Sequence, residues 1–295
     1  MPRTERREPV SPAPGKRRVA PAASERYNRP APRHWRAVVN DTLPWWLWPN
    51  VLALDAPVVA AVWQRFLAGV AGSPVSLGAT VALGLIVWGV YLGDRALDAM
   101  RGANTSDRHR FAARHAAALV RVSAAALLAG AAVAVLTLPV RYLCAGALVA
   151  AGTGAYLVAV HAARGAALKG AAKVVLVGAM FAAGVAIPLA AEGTVPVRDW
   201  LPGCAAFAGL CALNCALIAR WEDGPAAPPA WLAPATAILA IGFALAGPVE
   251  VAGAVFASAA ALAALHIARP VGFTRAARVL ADVALLSPVV AWGLS

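Results

Sequence analysis

From Trp45 onward the sequence is a succession of apolar runs, separated by short breaks that carry most of the charge. A helix that crosses a bilayer needs about 20 mostly apolar residues. On that length the pattern predicts about nine membrane helices, near 46–70, 75–93, 116–138, 141–162, 172–191, 200–219, 229–247, 249–268 and 277–294. Pro74, Pro139, Pro196, Pro228, Pro229 and Pro248 fall at or near the predicted turns, where helix-breaking residues belong. Residues 1–44 show no apolar period and are rich in Pro, Ala and Arg, which predicts a disordered basic tail ahead of a helical domain over 45–295. No apolar stretch of about 7–15 residues with a small-residue cleavage site follows the basic residues, so the tail does not read as a signal peptide.

Composition sharpens this reading. Hydrophobic residues make up 61% of the chain, charged residues 14%, and the mean hydropathy is +0.68. An ordinary soluble domain has about a quarter of its residues charged. The apolar residues are mostly Ala, Val, Leu and Gly, and short side chains let membrane helices pack closely.

A net charge of +12 invites comparison with a nucleic-acid-binding surface, until the charges are located. With the N-terminus inside, 22 of the 26 Lys and Arg fall on the tail and the loops 94–115, 163–173, 220–228 and 269–278. The loops on the other side carry two, Arg141 and Arg198, while Arg65 and Arg121 lie within spans. This split reports orientation: a cytoplasmic N-terminus and, with nine spans, an external C-terminus. It gives no reason to expect a nucleic-acid partner. Trp45, Trp46 and Trp48 sit where the first span meets the interface, and the tail is expected to attract anionic membrane lipids. The Ala- and Arg-rich bias suggests a GC-rich bacterium, hence its inner membrane. Oligomeric state is not legible.

Two polar constellations close predicted spans on the same face. The first is Tyr91-Leu-Gly-Asp94-Arg95-Ala-Leu-Asp98. Asp94 and Asp98 are four residues apart and share a helix face. Two carboxylates so placed can hold Mg²⁺, which favours oxygen ligands and bridges to phosphates; equally, they can be a solvated pair satisfied by Arg95 and Arg101. Arg108 and Arg110 follow, and Arg can grip phosphate bidentately or serve as an inside anchor. His109 and His115 read as loop hydrogen-bonders. The second constellation runs from Asn214 through Arg220 to Glu222 and Asp223, and Arg164, Lys169 and Lys173 add cations on the same side. Cys204, Cys211 and Cys215 share one helical face and read as small packing residues. Asp55 lies within the first span, where it can line a headgroup pocket or meet an Arg from another helix, and Arg278 and Asp282, four apart at the start of the last, are expected to pair with each other or else to line the pocket.

In order and spacing these features resemble the UbiA superfamily of intramembrane prenyltransferases, over residues 45–295. Asp94 and Asp98 match the last two acids of that family's NDxxDxxxD motif. Thr105 and Arg108 resemble the Arg-Thr-x-x-Arg-Pro stretch that often follows. Val177-Gly178-Ala-Met-Phe181-Ala-Ala-Gly184 is similar to the family's fifth-helix Leu-Gly-x-x-Phe-x-x-Gly, and Asn50 falls where the family often carries an Asn. Val90 and Tyr91 stand where the family has Asn-Asp, and Ala219 where its second DxxxD needs an acid.

The resemblance implies an all-α polytopic membrane protein whose helices surround a cytoplasm-facing pocket. It implies Mg²⁺-dependent transfer of an isoprenoid from its diphosphate to a lipophilic, aromatic-type acceptor. Asp94 and Asp98 would hold one Mg²⁺ and Glu222 and Asp223 a second. Asn50, Arg95, Arg108, Lys169, Lys173, Asn214 and Arg220 would contact substrate. The reduced acid set leaves open a non-catalytic protein that binds or moves a lipid or anionic solute with the same pocket. A third reading is transport driven by protons through Asp55 and Asp282.

Overall fold

The computed structural model describes residues 44–100, 107–162, 170–222, 228–268 and 274–293. Among these every regular element is helical. After a 3-10 turn at Trp45–Leu47 come α1 (Trp48–Val51), α2 (Asp55–Val70), α3 (Leu77–Met100), α4 (Asp107–Thr137) and α5 (Val140–Ala162). They are followed by α6 (Ala171–Glu192), α7 (Val197–Glu222), α8 (Leu232–Leu245), α9 (Val249–Ala268), α10 (Thr274–Ala284) and α11 (Ser287–Gly293).

Six of these, α3 to α7 and α9, are long and apolar enough to cross a membrane. A seventh crossing results if the bent pair Trp45–Val51 and Asp55–Val70 counts as one span. Among the described residues six or seven of the nine expected spans therefore meet that length and hydropathy. Helix α8 has 14 residues, about 21 Å at 1.5 Å per residue, short of a hydrocarbon core of about 30 Å. The expected last span, 277–294, divides into α10 and α11.

Both breaks are held by side chains from other helices. The first span turns through 72° between α1 and α2, and Ala53 takes a left-handed backbone with φ 57°, which a residue with a Cβ rarely adopts. The carbonyls released there are occupied. Arg95 Nη1 donates to those of Asn50 and Val51, and Trp88 Nε1 donates to that of Leu52 at 2.9 Å. At the last break Trp63 Nε1 donates to the Leu285 carbonyl at 2.7 Å, and Ser258 Oγ to that of Ala284 at 2.7 Å. An unpaired backbone group in an apolar medium costs several kcal/mol, so an interrupted helix persists there only with such partners.

Helix α7 runs through the main core. Phe207, Leu210, Leu213 and Leu217 pack with Trp63 and Phe66 of α2, Val185 and Leu189 of α6, Ala240 of α8 and Val255 and Leu262 of α9. Trp63 stacks on Phe207 with ring centroids 4.7 Å apart. Small residues bring α6 onto α7: a Cβ at Gly178 would collide with the carbonyl oxygen of Ala208. A second cluster joins Ala53 to Leu92 and Ala96 of α3 and Ala112 and Leu119 of α4. Consecutive helices run back and forth, so the ends of α3, α5 and α7 meet the starts of α2, α4, α6 and α10.

Candidate functional site

The polar side chains gather at that shared end in three groups. In the first, Asp94 and Asp98 project from one face of α3 toward His161 in the last turn of α5. His161 Nε2 lies 2.8 Å from Asp94 Oδ1, and its Nδ1 lies 4.0 Å from Asp98 Oδ1. One ligand atom from each of the three residues can be chosen so that all lie within 4.8 Å of one another, and all three are half-buried. Two carboxylates suit a hard divalent cation such as Mg²⁺. The imidazole nitrogen widens the set toward manganese, iron or zinc, which accept nitrogen more readily.

In the second group Glu222, at the end of α7, is clamped between two arginines. Arg108 Nη2 of α4 lies 2.6 Å from Glu222 Oε2, and Arg278 Nη1 of α10 donates to Oε1. Arg278 is 2% exposed. Among the described residues Nε and Nη2 of Arg278 and Nε of Arg108 have no hydrogen-bond partner. Two guanidinium groups on one carboxylate leave one net positive charge with spare donors, a composition suited to a phosphate.

The third group lies deeper. Asn214 precedes Glu222 by eight residues, about 12 Å along a helix, and its Nδ2 donates to Asp282 Oδ1 at 2.9 Å. Asn50 Nδ2 donates to Asp282 Oδ2 at 3.0 Å and to Asp55 Oδ2 at 2.6 Å. Both asparagines are buried. Asp55, the first residue of α2, also accepts from the Ala56 N–H at 2.9 Å.

The residues singled out from the sequence fall as follows. Asp94 and Asp98 come together with His161. Glu222 meets Arg108 at the same end of the bundle, and Lys173 sits half-buried in the first turn of α6. Asn50 and Asn214 converge on Asp282. Arg95 is 7% exposed and directs Nη1 to the α1 carbonyls, while Arg220 is exposed at the end of α7. Lys169 and Asp223 lie outside the described residues, as do Arg101, Thr105 and Arg164. The expected Arg278–Asp282 pair does not form: Arg278 goes to Glu222, and Asp282 is held by two asparagines from other helices. Cys204 and Cys211 are buried free thiols and Cys215 is half-buried.

His161 and Arg278 are the members that sequence reasoning missed as site residues. The alternation of helix direction already put His161 on the Asp94 side, and that was the available signal. An apolar groove of about 470 Å³ lies between α5, α6 and α7, lined by Leu148, Val149, Ala183, Ala186, Leu201 and Cys204 among others. No family model, curated protein or solved structure matches the chain.

Proposed function

We propose that this chain is an intramembrane prenyltransferase of the UbiA type, taking an isoprenoid diphosphate as donor and a lipophilic, aromatic-type molecule as acceptor. The observation that carries the reading is the convergence of Asp94, Asp98 and His161 with Arg108 and Arg278 at one end of an apolar bundle. A divalent cation held by Asp94, Asp98 and His161 would supply Lewis-acid charge to the leaving diphosphate. Arg108 and Arg278 would offer their spare N–H groups to the same anion. The isoprenoid tail lies between the helices, and the groove along α5, α6 and α7 offers an apolar wall. The C–O bond of the donor breaks, the diphosphate leaves with the bonding pair, and the acceptor forms the new bond and gives up a proton.

The 22-to-2 distribution of Lys and Arg supports placing this end, with the N-terminus, in the cytoplasm. The bacterial inner membrane is the matching location, so that a water-soluble diphosphate headgroup arrives from the cytosol.

One observation favours a second reading, a non-catalytic protein that binds an anionic lipid. Both oxygens of Glu222 are engaged by arginines, so it does not present a free carboxylate for a second cation. The two readings separate when purified protein is incubated with radiolabelled farnesyl or geranylgeranyl diphosphate, a divalent cation and a lipid extract. An enzyme releases pyrophosphate and labels a lipid, and Asp94→Asn abolishes this. Donor binding without release in either sample, across an acceptor screen, removes the enzymatic reading and leaves the binding one.

A further inference from the structure

Helix α10 meets the bundle on the face that carries Ala277, Arg278 and Ala281, with both alanines fully buried and Arg278 2% exposed. Small neighbours let the helix seat closely, and the guanidinium of Arg278 is drawn in with them. The two sides of a guanidinium bond differently. Nε and Nη2 form one edge, whose parallel N–H groups match two oxygens of a phosphate or carboxylate. Glu222 Oε1 takes Nη1, on the other side, whereas Nε and Nη2 are both buried without a partner among the described residues. Asp282, four residues on along α10, is held by Asn50 and Asn214 and leaves that edge free. Arg108 differs: its Nη2 is spent on Glu222 Oε2 at 2.6 Å, and only Nε of the matching edge remains.

Buried donors without partners are rare and costly, and they call for a ligand or a water. Net charge does not choose between these. Arg95, Arg108 and Arg278 are matched in number by Asp55, Asp282 and Glu222, so the resting region carries no surplus. Shape chooses: two parallel donors on one buried edge fit a two-oxygen anion. A phosphate that arrives with a divalent cation brings its own compensating charge. Glu222 then stays in place behind the edge and fixes both arginines.

We propose that the Nε–Nη2 edge of Arg278 is a bidentate site for one phosphate group, and that Glu222 is the fixed counter-anion behind it rather than a cation ligand. This rests on the reading that a phosphate-bearing molecule enters at this end of the bundle, as the diphosphate of a prenyl donor or the headgroup of an anionic lipid.

The test is calorimetric binding of inorganic pyrophosphate in saturating Mn²⁺ to the purified full-length chain in detergent, beside binding of Mn²⁺ alone. Arg278→Lys keeps the charge but not the edge, and it weakens pyrophosphate roughly tenfold, the worth of one charge-assisted hydrogen bond. Glu222→Gln removes the counter-anion and tightens pyrophosphate by a similar factor. Both variants keep the wild-type affinity for Mn²⁺. Wild-type binding that Arg278→Lys leaves intact overturns the bidentate site, whose edge then holds water. Weaker Mn²⁺ or pyrophosphate binding in Glu222→Gln overturns its role as counter-anion. No pyrophosphate binding in the wild type overturns the phosphate reading of this end and the proposal with it. Should Arg278→Lys fail to fold, Glu222→Gln decides alone, and unchanged pyrophosphate affinity there overturns the proposal. Competition with farnesyl diphosphate and with phosphatidic acid separates the two sources: the stronger competitor carries the phosphate that the site takes, and competition by neither overturns the proposal.

Discussion

The two ends of the bundle use the same residue types in opposite ways. At one end Arg141 Nη2 meets Glu192 Oε2 at 2.6 Å, Tyr142 Oη donates to the same carboxylate at 2.8 Å, and Arg198 Nε lies 3.4 Å from Asp199. The charged partners reach solvent, with Arg141 54% and Arg198 85% exposed, while Tyr142 is buried beneath them. At the other end Arg278 and Glu222 are 2% and 8% exposed, and their partners come from helices far apart in sequence. An exposed pair gains little, because water screens it and both side chains lose freedom. A buried pair is costly to assemble and costlier to break. Ion pairing alone therefore does not mark a site. Burial, convergence from several helices and donors left unpaired distinguish the Asp94 end.

The comparison breaks most visibly at Arg278. Arg278→Leu removes one of the two arginines on a buried carboxylate, and destabilisation of about 3 kcal/mol is expected from denaturant unfolding in detergent. The paired replacement Arg278→Leu with Glu222→Leu recovers most of that loss, since no bare charge then remains. If the double variant is as unstable as the single, the arginine acts through packing instead.

Next in size are the candidate metal ligands. Asp94→Asn lowers divalent-cation affinity by at least the roughly tenfold that changes around a ligand shell usually cost, read by calorimetric titration with Mn²⁺. His161→Ala weakens Mn²⁺ or Zn²⁺ by a similar factor but changes Mg²⁺ little, because the imidazole contributes least to an oxygen-seeking ion. Equal losses for all three ions would show that His161 positions Asp94 rather than binding metal. The smallest effect is at the opposite end: Arg141→Ala leaves unfolding midpoint and cation affinity unchanged within error.

These contrasts also explain what the sequence could reveal. Apolar runs located the helices, because a span must stay apolar over its whole length. They concealed both interruptions, since apolar residues continue across Val51–Leu54 and across Leu285–Leu286. What sustains those breaks is Arg95, Trp88 and Trp63, from distant parts of the chain. The Asp94–Asp98 pair was legible from its four-residue spacing, while His161 reaches it only through the fold. The same spacing rule misled at Arg278 and Asp282, where Asn50 and Asn214 outcompete the local partner. Local periodicity thus identified which faces carry charge, and tertiary contacts decided which charges meet.

The most direct measurement is equilibrium binding of farnesyl diphosphate to the purified chain with Mg²⁺ or Mn²⁺ and again with chelator, for wild type, Asp94→Asn and Arg141→Ala. A diphosphate site at the Asp94 end predicts tight, cation-dependent binding in wild type and Arg141→Ala that is lost in Asp94→Asn. Binding that ignores the chelator, or that survives Asp94→Asn intact, would contradict it.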